Sequence, residues 1–561
     1  MNKYIKILSL SLGFWAVSCT NLEEQVLDET FSTTLSDKEA ADGIIAPVYA
    51  LLPTIYQHTT YFALQEISTD EAILPYRGGT DWGDNGIYLD LHRHTYNSNS
   101  ANVKNTWNAL VTALSRAITA LNTLKDNPDA NAKVYYAEAK AMRAYYNLMV
   151  FDLFGIAFKK DDPGTPSVIL RGKTAFDYIA AEFEAAEPNL QTRNAVGSGR
   201  ITKAGVWSLL ARLYLNAPVY KDRYAASFTF AAEDMDKVVT YADKVINSTD
   251  YKLSNDYFSI FGNNNHNNTE LIFAVDQRPE LNGHNRLAYF SLSGDQYPLP
   301  AFPSANGTDG PGITSDFYQT WATAYAPADP KVDPRFFQDN LKKADDGLST
   351  CVSDADFKIN RGILRGQQYG LIRENGVFVR CADGKIKVGP LANLNRNRPD
   401  KKVIFTEKID FTTEGSDYST GFRVEKYEFS TESNSGRNRG MADISIVRLA
   451  DVFLMRAEAQ LRKGNSAAAL ADLNTVRAAR NITTPPPALA AINLDVLYRE
   501  RGFEFYWEML RRTDMVRFGK YEGVWTEKTN ADKNKRLFPI PQTAIDGASN
   551  LEGYLSQNPG Y

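Results

Sequence analysis

Trp82 lies in a run of glycines and acids, Arg77-Gly78-Gly79-Thr80-Asp81-Trp82-Gly83-Asp84-Asn85-Gly86, where a core residue is hard to place. Such glycines interrupt regular structure, and an indole left at a loop gains by meeting a partner. Sugars suit it: they offer weakly apolar C–H faces edged by hydroxyls, and exposed rings beside planar polar groups recognise both. The residues that lead in, Asp70-Glu71-Ala72-Ile73-Leu74-Pro75-Tyr76-Arg77, supply Asp70, Tyr76 and Arg77, with Asp81 beside the indole. A second stretch of the same mixture runs from Tyr289 through Asp295-Gln296-Tyr297 to Trp321, and contributes Tyr297 and Trp321 as candidates. Trp321 and Tyr325 fall in a helix-like run, where packing in the core competes with binding. Arg361, Arg365 and Gln367 form a third group.

Catalysis needs a positioned acid, base or nucleophile. The five histidines are His58, His92, His94, His266 and His284. His92-Arg93-His94 could begin a metal site, but no third ligand stands near it, and no metal or cofactor is expected. There is no His-Glu-x-x-His, Gly-x-Ser-x-Gly or P-loop. Acidic residues are plentiful, yet no two are singled out as a glycosidase pair. The charged cluster Glu500, Arg501, Glu504, Arg512, Asp514 and Arg517 reads as ion pairs three or four apart that lock a C-terminal helix to its scaffold. The sequence therefore points to a binder rather than an enzyme. Its net charge of −5 gives nucleic acid no electrostatic hold.

The first residues carry a chemistry of their own. Lys3 and Lys6 precede the apolar run Ile7–Val17, which is shorter than the roughly 20 residues a bilayer span needs. It reads as a secretory signal peptide over 1–18. The run ends in Ala16-Val17-Ser18-Cys19, the pattern of a bacterial lipobox, so Cys19 is the expected site of lipidation and of attachment to outer-membrane lipid. Ala16 stands where Leu is usual. Several acyl chains anchor stably where one does not. Cys351 and Cys381 are left over; an exported protein permits a disulfide, and the sequence allows either a bridge or two buried thiols.

These groups need elements to hold them. The composition, 43% hydrophobic and 23% charged, is that of an ordinary globular chain. Ser36 or Asp37 can cap a helix reaching about Tyr56, with Ala40, Ile44, Val48 and Leu51 on one face. A long helix is expected over about 102–125. Asn127-Pro128-Asp129 turns the chain into another, marked by Val134, Ala137, Ala141, Tyr145 and Leu148. Further helices are expected at 174–187, 202–216 and 231–247. Residues 448–461 and 466–480 form the clearest pair: Gly464 sits in the turn, followed by Ala469, Leu470 and Leu473, much as in tetratricopeptide repeats. A last long helix is read over 489–518. Residues 281–445 differ, rich in Gly, Asn, Pro and Asp, with short strand-like runs at 376–379 and 403–405. Irregular stretches of that length are often functional.

An ordered series of segments resembles the SusD/RagB family over nearly the whole chain after Cys19. It includes Glu138-Ala139-Lys140-Ala141-Met142-Arg143-Ala144-Tyr145-Tyr146 with Phe154-Gly155, and Gly199-Arg200-Ile201-Thr202-Lys203-Ala204. It continues through Arg448-Leu449-Ala450-Asp451 to Arg456-Ala457-Glu458-Ala459, Glu500-Arg501-Gly502-Phe503-Glu504, Phe538-Pro539-Ile540-Pro541 and the ending Asn558-Pro559-Gly560-Tyr561. The resemblance implies a mainly α fold, a tetratricopeptide-like helix-pair scaffold carrying an irregular, loop-rich ligand-binding subdomain. It implies a surface-exposed lipoprotein of the outer membrane that captures oligosaccharides, or in some members peptides, for a SusC-like TonB-dependent barrel. The expected organisation is a signal peptide (1–18), a lipidated tether (19–36), a helical scaffold with a ligand-site loop (37–280), the loop-rich subdomain (281–445) and a C-terminal helical region (446–561).

Overall fold

Apolar side chains three and four apart give most helices their buried stripe, and small residues let the helices approach. In a computed structural model that describes residues 36–77, 86–160, 164–281, 285–296, 307–341, 350–394, 397–412, 417–429 and 440–561, these stripes build a scaffold of packed helices. Cys19, Asp81, Trp82 and Tyr297 lie outside the described residues, as does most of the tether.

Helix α1 spans Asp37–Tyr49 and begins with a reciprocal cap, in which Ser36 and Glu39 each satisfy the other's backbone N–H. It is shorter than its periodicity suggests: the chain kinks at Ala50–Leu51 and resumes as Leu52–Ile55. Its buried face is Ala41, Ile45 and Val48, one position round from the expected stripe. Helices α2 (Ala101–Leu124) and α3 (Ala132–Phe154) pack along each other, and α3 is buried along its whole second half. Helices α4 (Gly172–Ala186), α5 (Lys203–Leu215) and α6 (Ala232–Ile246) extend the array. Helix α7 (Ser315–Tyr325) stands in the loop-rich part.

The expected C-terminal pair forms as α8 (Leu449–Arg462) and α9 (Ser466–Ala479). Gly464 takes φ +83° in its turn, and Ala469 and Leu473 close the interface. The long helix expected over 489–518 is two: α10 (Leu494–Phe505) and α11 (Arg511–Arg517). Between them Trp507 and Met509 adopt φ +66° and +61°, which no α-helix accommodates.

Strands are short. β1 (Ala72–Ile73) pairs antiparallel with β3 (Gly312–Ile313), and β2 (Leu271–Val275) pairs with β10 (Ile444–Arg448) at the foot of α8. β4 (Phe337–Gln338), β6 (Arg361–Leu364) and β9 (Arg423–Glu425) form one small sheet. β5 (Thr350–Val352), β7 (Tyr369–Leu371) and β8 (Ile386–Pro390) form another, stapled by a disulfide between Cys351 and Cys381. The loop-rich part shares the main core: Phe336, Ile363, Val388 and Phe422 belong to the same buried cluster as Leu110, Tyr146 and Phe273.

Candidate functional site

Three segments that border the irregular stretches meet at one place. Ala72 faces Ile313 and Ile73 faces Gly312 across the β1·β3 ladder. Ile313 in turn donates its N–H to the carbonyl of Phe422, 2.9 Å away. Only glycine fits here: a Cβ on Gly312 would lie 2.9 Å from the Phe422 carbonyl. Two buried guanidinium groups then lace the segments together. Arg77 donates to the carbonyls of Thr420 (2.7 Å) and Gly310 (2.9 Å), and Arg423 donates to Gly310 (2.6 Å) and Tyr418 (2.7 Å). Five donors in a rigid fork suit arginine to this task. Burial and the neighbouring Arg423 weaken Arg77's hold on its proton, while Asp309 and Asp417 oppose them. Arg423 itself is pushed down to about 10 by burial.

The result is a frame. Residues 74–77, 307–313 and 417–424 are fixed against one another, and from their ends spring 78–85, 297–306 and 413–416. Tyr76 is half-buried, and its hydroxyl would lie 2.7 Å from a Cβ on Gly86, which takes φ +80°. The two ends of 78–85 therefore close on each other. Beside the frame lies an open groove of about 640 Å3, lined by Ser315, Thr406, Glu407, Lys408, Ile409, Asp410 and Thr420. Hydroxyls and carboxylates of this kind can meet a ring of sugar hydroxyls.

This geometry corrects three of the candidates. Trp321 is 0% exposed and stacks on Phe503 with ring centroids 3.7 Å apart, so it has no face to offer a ligand. Arg77 is 1% exposed and holds backbone rather than ligand. Asp70 is taken by Arg511 in a two-pronged pair at 2.7 and 2.8 Å. The third group is also structural. Arg361 donates to the carbonyls of Phe258 and Lys426, Arg365 pairs with Asp329, and Gln367 donates to backbone. Tyr76 stays at the frame, at the mouth of the segment that holds Asp81 and Trp82. Arg423 and the groove residues Thr406, Glu407 and Thr420 had no local signature, because their surroundings come from distant parts of the chain.

The rest of the polar interior reads as scaffold. His92 sets both ring nitrogens against carbonyls, those of Ile67 and Ala72 on one side and Thr526 on the other. The charged cluster does lock the C-terminal helices, chiefly across elements rather than along one helix. Glu504 meets Arg448 at 2.7 Å and Arg480 at 3.1 Å, Glu500 meets Arg477 at 2.6 Å, and Arg512 meets Asp152 at 3.0 Å. Only Arg517–Asp514, at 2.6 Å, follows the expected spacing. A separate cavity of about 560 Å3 opens between the end of α1 and the β2·β10 ladder, floored by Leu52, Pro53 and Val275. Asp443 on its wall is pushed up to about 7 by burial and the nearby Asp276. Among the described residues no helix is long and apolar enough to cross a membrane.

A profile of the SusD family matches residues 260–561. The chain is similar to the starch-binding protein SusD of Bacteroides thetaiotaomicron, with 27% identity over 527 residues, 90% of this chain and 86% of that one. Among solved structures it resembles a SusD superfamily protein from Parabacteroides distasonis, with TM-score 0.66 and 18% identity over 94% of this chain and 100% of that one. It also resembles surface glycan-binding protein A from Bacteroides thetaiotaomicron in complex with laminarihexaose, with TM-score 0.61 and 20% identity over 93% and 98% of the two chains.

Proposed function

This chain belongs to the SusD family, and from that premise we propose that it is a cell-surface glycan-binding lipoprotein that captures an oligosaccharide and delivers it to a partner TonB-dependent outer-membrane transporter. The observation that carries the reading is the similarity to a starch-binding protein along 90% of the chain. The frame supports it: a rigid mount under two irregular segments that hold Asp81, Trp82 and Tyr297, with Tyr76 at the mouth and a hydroxyl-rich groove alongside. Stacking of one ring on a sugar face removes apolar area worth on the order of 1–2 kcal/mol. Several rings and hydrogen bonds together give modest affinity, which suits a protein that must pass its ligand on. Lipid attached to Cys19 would hold the binder at the outer membrane, and a tethered binder raises local ligand concentration for a barrel that does the transport.

Calorimetry of the lipid-free chain against a panel of glycans and peptides tests the reading. Saturable binding of an oligosaccharide without new reducing ends is the expected result. A response to peptides alone removes the oligosaccharide, and release of reducing ends makes the protein a glycosidase.

A further inference from the structure

Two carboxyl groups with no arginine or lysine hydrogen-bonded to them face each other in the core. Glu66 is 0% exposed and Glu71 1% exposed. One oxygen of Glu66 accepts the N–H of Met509, and Glu71 accepts the N–H of Trp507 at 2.7 Å. These are backbone donors of the left-handed turn between α10 and α11. The second oxygen of Glu66 has no other donor and lies within hydrogen-bonding reach of Glu71. Two buried carboxylates in contact cannot both ionise at moderate cost, and a single proton between them relieves the repulsion.

Glu71 and its neighbours also hold the mouth of the ligand segment. The Glu71 carbonyl accepts the N–H of Thr314 at 3.0 Å, and the Asp70 carbonyl accepts the Thr314 hydroxyl at the start of α7. The next residues are β1, then Tyr76 and Arg77, then 78–85. The pair is thus the rivet between the C-terminal helices and the frame.

We propose that Glu66 and Glu71 are positioning residues that share one proton, and that the protonated pair pins the segment leading into 78–85 onto the turn at Trp507–Met509, so that loss of the proton loosens the ligand site. Its bearing on ligand rests on the glycan-binding reading; the shared proton does not.

The surroundings favour the proton. Burial pushes the Glu71 carboxyl up to about 7, against Arg511, the Trp507 N–H and Lys426, which pull it down, while Asp70 adds to the rise. Burial and Glu71 push Glu66 well above its ordinary range, opposed by the Met509 N–H and Arg511. Both cations are engaged elsewhere: Arg511 with Asp70, and Lys426 with Glu508 at 2.6 Å and the carbonyl of Tyr506. Tyr498, Tyr506 and Tyr427 also face the pair, all held neutral by burial. His92, whose imidazole burial keeps from protonating, touches the same segment only through the carbonyls of Ile67 and Ala72. The sign follows: the folded chain holds a proton that the unfolded chain gives up near 4.3, so the pin is complete in mild acid and fails as pH rises through about 7 and above.

Two measurements need no ligand. The infrared band of a protonated carboxyl should persist at pH 6, fade towards pH 9, and be missing in Glu66→Gln. Hydrogen exchange of the amides of residues 72–77, corrected for intrinsic rate, should quicken about tenfold across that range in the native chain and stay level in Glu66→Gln, whose amide stands in for the shared proton. Glu71→Gln serves equally if Glu66→Gln does not fold. A native chain without the titrating band, or with exchange that responds to pH as the variant's does, overturns the proposal. Calorimetry on the panel should then show affinity falling by a similar factor between pH 6 and 9. An empty panel at every pH, with band and exchange as expected, sinks the glycan reading and leaves the pin standing. Glycan affinity that ignores pH while the exchange changes refutes the link to the ligand site.

Discussion

Trp82 is the residue on which the binding reading is most exposed to test. If its indole stacks on sugar, Trp82→Ala lowers glycan affinity about tenfold or more, the loss of roughly 1.4 kcal/mol, and leaves Tm almost unmoved. Unchanged affinity in a folded variant removes Trp82 from the site. Arg77 should behave in the opposite way. Arg77→Met strands the carbonyls of Gly310 and Thr420, which costs about 1–3 kcal/mol for each buried acceptor left alone. Chemical denaturation should show that loss of stability, and any fall in affinity should track it. The contrast shows what residue types in sequence can and cannot say. Loop context marks a Trp among glycines as unsuited to the core, because that is a local property. Asp70, Arg77 and Trp321 have binder-like chemistry, but their partners lie at 511, at 310 and 420, and at 503, and nothing local announces them.

Among elements, the helices were the legible part, since a period of three and four is written in consecutive residues. α2, α3, α5, α6, α8 and α9 fall within a residue or two of their expected bounds. The break between α10 and α11 was not legible. Its left-handed residues are Trp and Met rather than Gly, and the acceptors for its N–H groups come from Glu66 and Glu71, far upstream. The turn at Gly464 is the reverse case. A Cβ there would meet nothing within 4 Å, so Gly464→Ala isolates the cost of the backbone conformation, about 1–2 kcal/mol. A crystal-like fold with Tm unchanged would contradict it. The bridge between Cys351 and Cys381 joins positions 30 apart. Replacing both with Ser should cost about 3 kcal/mol by the chain-entropy argument. Limited proteolysis should register the loss first in the sheet of β5, β7 and β8.

At the scale of the molecule, a buried ionic lattice joins helices far apart in sequence. Burial alone would raise the carboxyls of Glu504, Glu458 and Asp451, but arginines overcome it and hold all three at about 2. They are Arg480, Arg448 and Arg335 for Glu504, Arg517 and Arg462 for Glu458, and Arg212 and Arg501 for Asp451. A folded pKa below the unfolded one gives stability that is full above about pH 4.5 and drains as pH falls towards 2. Tm should therefore drop steeply between pH 5 and pH 3, by several kcal/mol of stability, and Glu504→Ala should cost about 3–5 kcal/mol at pH 7 by leaving buried arginines uncompensated. Equal Tm at pH 5 and 3 would deny the lattice its role. Composition gave no hint of this arrangement, and periodicity gave no hint that the stretch 281–445 shares its core with the helices, because both are facts of long-range packing.

The clasp of Arg77 and Arg423 on a single carbonyl has a consequence for descent with modification. Closing a loop grows dearer only slowly with length, by about 0.6 kcal/mol for each doubling. Once the end points of 78–85, 297–306 and 413–416 are held by arginines and by glycines that tolerate no side chain, what lies between can lengthen, shorten or change its residues at small thermodynamic cost. Lineages that share this socket are free to trade recognition heads, and appetite for a new polymer can be acquired without renegotiating the architecture beneath it.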